Sequence, residues 1–119
     1  MTRINCGIPP AELTNKHLLA EHREIKRIPN VVSKGKYSMV GQPKTFTLGI
    51  GHVKFFYDKQ FYLLNRYRQI YAECCKRGFN VTDYSGAWAG VPYNMYNDYT
   101  PTERDREIVR ERIKERLNK

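Results

Sequence analysis

The 119-residue chain contains no apolar run near the ~20 residues that cross a bilayer, and no apolar signal-type segment follows Met1. The expectation is a cytoplasmic protein, inside a bacterial cell or a phage-infected host, with no membrane partner. Cysteine is scarce. The three present, Cys6, Cys74 and Cys75, include an adjacent pair but no CxxC and no Cys/His ligand spacing. That argues against a disulfide framework and a zinc site, and leaves small buried thiols in a reducing compartment as the expectation. A Gly-rich phosphate loop, HExxH, a paired-Asp metal site and a Ser/Cys-His-Asp constellation are all missing, so neither a metal nor a cofactor is expected. No run alternates apolar and polar residues in the way a half-buried strand would, and no internal repeat or low-complexity tract is found.

Acidic residues are the other shortage. Twelve Asp and Glu face 21 Lys and Arg, giving a formal charge of +9 and a pI near 9.6. With 40% apolar and 28% charged residues the composition is globular, and the length suits one domain spanning 1–119. So lopsided a charge on a small domain points to nucleic acid, because neutralising phosphates releases condensed counterions. Residues 1–60 carry ten bases and four acids (+6), whereas 61–119 carry eleven and eight (+3). The first half is therefore the expected phosphate-facing side. With no long exposed apolar stripe, the expected state is a monomer.

Helical periodicity supplies an all-α reading: three helices joined by long loops. The first runs from Ala11 to Ile28 and is stopped by Pro29-Asn30. Glycine, proline and lysine between 30 and 51 read as a basic loop, with Lys34, Lys36 and Lys44 as phosphate contacts. The second helix runs from His52 to Arg77 with Val53, Phe56, Leu63, Tyr67, Ile70 and Cys74 on one stripe, and Gly78 follows as its C′ residue. After an irregular, aromatic stretch (79–99), Thr100-Pro101-Thr102-Glu103 reads as a capping box with Thr100 as N-cap. A third helix follows to Leu117, with Val109, Ile113 and Leu117 inward and Glu103–Arg106, Glu107–Arg110 and Glu111–Lys114 paired on its surface.

On the first helix Lys16, Ala20, Arg23 and Arg27 fall at i, i+4, i+7 and i+11, a cationic stripe able to follow a phosphate backbone. Glu24 lies beside it. Phosphate would repel that carboxylate, so it is either an intrahelical ion-pair partner or a catalytic acid/base. The residues around the stripe are Thr2-Arg3-Ile4-Asn5, His17-Leu18-Leu19-Ala20-Glu21-His22-Arg23-Glu24, Gly51-His52-Val53-Lys54-Phe55-Phe56-Tyr57-Asp58-Lys59 and Ala72-Glu73-Cys74-Cys75-Lys76-Arg77-Gly78-Phe79-Asn80. In this order they closely resemble the bacteriophage pyrimidine-dimer DNA glycosylases, the phage endonuclease V type. The resemblance is strong over residues 2 to about 80. His22 stands where a tyrosine is usual, and Lys16 where a glutamine is.

The resemblance implies an N-terminal segment threading between the helices, and double-stranded damaged DNA as partner. It implies a nucleophile at the Thr2 α-amine once Met1 is removed, with Glu24 as catalytic carboxylate. Arg3, Arg23 and Arg27 would contact DNA, and His17 would sit in the active site. An α-amine has a reference pKa of about 7.7–8.0, so part of it is free base at neutral pH. Attack on C1′ would displace the damaged base and leave an imine, and proton loss from C2′ would then cut the strand by β-elimination. Two alternatives remain: a lyase for a different damaged or modified base, and a non-catalytic basic DNA-binding protein on the same scaffold. Thr2 and Glu24 divide them, since a binding module needs the arginines but no amine facing a carboxylate.

Overall fold

A computed structural model describes residues 2–117. Met1, whose removal the expected chemistry requires, lies outside the described residues, as do Asn118 and Lys119. The regular elements are helices: α1 (Asn15–Glu24), α2 (Arg27–Ser33), α3 (His52–Phe55), α4 (Gln60–Lys76) and α5 (Glu103–Leu117), with one short 3₁₀ turn before α1 and two between α4 and α5. Among the described residues there is no strand beyond one isolated bridge, Lys59 to Tyr96. The chain is all-α, and none of these helices is long and apolar enough to cross a membrane.

Each of the three expected helices is present but interrupted or shifted, for physical reasons. Thr14 caps α1 by accepting from the His17 N–H, so the helix begins at Asn15 and not at Ala11, which lies in a 3₁₀ turn. Pro29 does not stop a helix; it sits inside α2. In a continuous helix its ring would collide with the carbonyl of Ile25, four residues back. The chain breaks at Ile25–Lys26, and Pro29 falls in the first turn of α2, where a missing N–H costs nothing. The second helix divides at Phe56–Lys59. The carbonyl of Asn97 accepts from the N–H groups of Phe61 and Tyr62, and the Asn97 side chain donates to Asp58 O, so a distant loop caps α4. The capping box of α5 is Thr102 with Asp105, two residues later than expected; Tyr99 also donates to Asp105. Gly78 (φ +84°) ends α4 as expected.

The N-terminal segment lies between these helices. Ile4, Cys6 and Ile8 are buried, and Gly7 (φ +78°) turns where a Cβ would fall 2.8 Å from Pro101. Around it pack Leu18, Ile25, Phe46, Phe55, Phe56, Leu63, Tyr67, Ile70 and Val109. Three surface expectations change. Cys75 is exposed while Cys6 and Cys74 are buried. Leu117 is exposed at the end of α5. Arg110 pairs with Glu12 at 3.2 Å rather than with Glu107, whereas Glu103–Arg106 does form, at 3.7 Å. In the aromatic stretch, Trp88 is buried and Tyr84, Tyr96 and Tyr99 pack on the core.

Candidate functional site

Four elements position the N-terminal segment by its own polar groups. The Ile4 N–H donates to His52 Nε2 at 2.9 Å, and His52 Nδ1 in turn donates to the carbonyl of Thr47 at 2.8 Å. Those two bonds require the neutral ring, and burial accordingly pulls the His52 pKa below its ordinary value. Asn5 donates to Glu21 at 2.8 Å and accepts from Arg112 at 2.9 Å. Glu21 holds Arg66 in a buried two-point pair at 2.8 and 2.9 Å, and Arg66 also donates to Ile8 O. Burial alone would lower the Arg66 pKa; the charge and hydrogen bonds of Glu21 outweigh it and raise it. A segment tied by its backbone at residues 4, 7 and 8 and by the side chain of Asn5 fixes where residues 2 and 3 emerge.

They emerge at two adjoining clefts. The first, about 80 Å³, is lined by Arg3 and Asn5, by His17, Ala20, Glu21 and Glu24 of α1, and by Arg112, Ile113 and Arg116 of α5. Its volume is well under the several hundred Å³ of a cleft that engulfs a whole ligand, so a large substrate would insert only a part. The second cleft is lined by Thr2, Leu48, Gly49, His52 and Val53, and shares Arg3, Arg112 and Arg116 with the first as a common wall.

Glu24 is mostly buried in the first cleft, and its nearest cation, Arg23, stands 3.8 Å away with its side chain 61% exposed. An ion pair of that length and exposure contributes little. His17 has a buried Nδ1 without a hydrogen-bond partner. Burial lowers its pKa, and the charges of Lys16, Arg112, Arg116 and Arg3 lower it further, so the ring is neutral at pH 7. Arg112 is brought down to about 10 by burial and by Arg3 beside it, yet remains charged. The cleft thus offers a loosely paired carboxylate and an unpartnered imidazole nitrogen under three guanidinium groups, a setting that attracts a polyanion and confronts part of it with an acid/base.

The expected residues divide. Arg3, His17 and Glu24 come together in one cleft; Thr2 lies in the neighbouring one. The cationic stripe is broken, because Lys16 and Arg23 are exposed on α1 while Arg27 belongs to α2. Lys34 and Lys36 are exposed after α2, and Lys44 is exposed on the loop before α3, none of them lining either cleft. Two of the three guanidinium groups in the wall, Arg112 and Arg116, come from the half with the smaller charge excess. Their i,i+4 spacing was the available signal, masked by the acids of α5. His52 was placed only at the start of the second helix, and its role as anchor of the N-terminal segment was missed. Among the described residues no three His, Cys, Asp or Glu side chains gather as a metal site would need.

Comparison with known families decides the class. A family model described as pyrimidine dimer DNA glycosylase matches residues 1–84. The chain belongs to the pyrimidine dimer DNA glycosylase family. Membership places it among DNA-repair glycosylases, with DNA as the class of substrate. The matched span holds Thr2, Arg3, His17, Glu24 and His52, and it stops before α5, which contributes Arg112 and Arg116.

Proposed function

We propose that the protein is a bifunctional glycosylase and abasic-site lyase acting on cyclobutane pyrimidine dimers in duplex DNA, with the Thr2 α-amine, freed by loss of Met1, as nucleophile. The observation that carries this reading is the half-free Glu24 carboxylate in a cleft whose arginine wall continues into the cleft of Thr2. A phosphate-binding surface alone has no use for a carboxylate there, since it would repel the ligand.

The neutral amine attacks C1′ of the 5′ nucleotide of the lesion, and the C1′–N bond breaks with its electrons leaving on the base. The attached amine gives a proton to the departing base, and its lone pair then breaks the C1′–O4′ bond, O4′ taking a proton from solvent, to leave a protonated imine at C1′. Glu24 stabilises the positive charge that develops on the sugar and removes a proton from C2′. The electrons of that C–H bond expel the 3′ phosphate, and water releases the enzyme. Arg3, Arg23 and Arg27, with Lys16, Lys34 and Lys36, bind the phosphates on either side. His17 presents its free nitrogen to the sugar–phosphate within the Glu24 cleft. Extruding a base costs a few kcal/mol, less at a poorly stacked damaged step, which favours the lesion.

Borohydride reduction tests the chemistry directly. Incubation with dimer-containing or abasic duplex should yield a covalent protein–DNA adduct, attached at residue 2 and absent after the N-terminus is acetylated. Tight binding with no adduct from either substrate would leave a DNA-binding protein only, while an adduct with abasic but not dimer DNA would point to another damaged base.

A further inference from the structure

The loop that closes the Thr2 cleft carries a side chain with no packing role. Ile50 is 101% exposed, whereas Leu48 two residues earlier packs on the core. A single exposed apolar residue means nothing by itself; the setting of this one does. Gly49 (φ +69°) and Gly51 (φ +88°) flank it in left-handed conformations, so the chain turns sharply on both sides and Ile50 stands at the apex. The apex is braced. A Cβ on Gly51 would lie 2.7 Å from the ring of Pro43. The Gln42 amide donates to Lys54 O, Phe55 O and Asp58, while Lys54 Nζ donates to Val40 O at 2.7 Å. Finally, Leu48 and Gly49 line the same cleft as Thr2, Arg3, Arg112 and Arg116, which sets the apex at the rim of the proposed reaction site, beside its phosphate-attracting wall.

We propose that Ile50 is a wedge that enters the base stack of duplex DNA at the lesion while Arg3, Arg112 and Arg116 hold the flanking phosphates. The proposal deepens the reading given above and rests on it for duplex DNA as substrate. A branched apolar side chain on a braced turn can replace part of a base pair's stacking surface, and apolar wedges of this kind unstack and kink a duplex. A dimer-containing step is already poorly stacked, so opening it costs less there than in intact DNA, and the wedge adds to selectivity for damage.

The test uses Ile50→Ala in the full chain, with Val40→Ala as a control, since Val40 is also exposed (82%) but lines neither cleft. Fluorescence of 2-aminopurine placed beside the lesion in duplex DNA reports unstacking whether or not any bond is cleaved. The parent and Val40→Ala should raise it. Ile50→Ala should lose most of the rise, with affinity for the damaged duplex about tenfold weaker. Cleavage of a single-stranded abasic oligonucleotide, which needs no wedge, should stay at the parental rate in Ile50→Ala. Parental fluorescence and duplex affinity in Ile50→Ala would overturn the wedge, as would an equal loss of single-strand cleavage, which would make Ile50 a structural residue. Failure of the parent to cleave or be trapped on any abasic DNA would instead sink the enzyme reading, with the fluorescence result still deciding the wedge.

Discussion

Glu21 and Glu24 lie three residues apart on α1 and line the same cleft. Glu21 is fully engaged: both oxygens are taken by Arg66, one of them also by Asn5, and almost none of the side chain meets solvent. Glu24 has only a loose contact with Arg23. The histidines differ in the same way. His52 uses both ring nitrogens to hold backbone groups, whereas His17 keeps a buried Nδ1 without a partner. A buried polar group left unsatisfied is a cost that folding normally avoids. Its persistence on one side of the cleft, next to complete pairing on the other, separates the side chains that build the site from those left available to a substrate.

Exchanging the two carboxylates for amides breaks the comparison most forcefully. Glu24→Gln keeps shape and cationic wall but removes the proposed base, so strand cleavage should fall by roughly 10²–10⁴ while DNA affinity and thermal stability stay near parental; single-turnover cleavage of abasic duplex gives the number. Parental cleavage would remove Glu24 from the chemistry. Glu21→Gln should do the opposite. It leaves the Arg66 guanidinium buried without its counter-charge, a loss of about 3–5 kcal/mol in urea unfolding. A change below about 1 kcal/mol would mean that Arg66 finds water or another acceptor.

The histidine contrast predicts pH dependence. His52, His17 and His22 all have pKa values held below 6.5, in each case chiefly by burial. The unfolded chain therefore takes up protons near pH 6.5 that the folded chain refuses until lower pH. Stability is complete above about 6.5 and falls as pH drops below it, towards the folded-state values. His52→Phe should flatten part of that fall. At pH 7.5 it should also cost about 1–3 kcal/mol, because the Ile4 N–H and the Thr47 carbonyl lose their partner. Unfolding midpoints at pH 7.5 and 5.5 for parent and variant decide it; parallel pH slopes would show that His52 is not among the titrating groups.

Much of this was readable from sequence, and the misses have specific causes. Periodicity placed the helices because Leu63, Tyr67, Ile70 and Cys74 recur at helical spacing and are buried. It could not show that Asn97 caps α4 from 36 residues away, nor that Pro29 moves the break back to Ile25. Motif resemblance picked out Arg3, His17 and Glu24, which share a cleft. Charge counting looked for the positive wall in the first half and overlooked Arg112 and Arg116, because a count over α5 cancels bases against acids that point elsewhere. Glu21 stayed hidden for a related reason: its role depends on Arg66, 45 residues away.

The smallest expected effect tests what remains of the cationic stripe. Arg23 and Arg27 were read on one helix face, but the break at Ile25–Lys26 puts them on separate helices, both exposed. If each still meets a phosphate, Arg23→Ala and Arg27→Ala should each weaken binding at low salt and lower the slope of log affinity against log salt by about 0.9, with no change in stability. Anisotropy titrations of abasic-analogue duplex between 50 and 200 mM salt measure the slopes. An unchanged slope for Arg27→Ala beside a reduced one for Arg23→Ala would confine the phosphate track to α1 and the arginine wall, leaving α2 outside the interface.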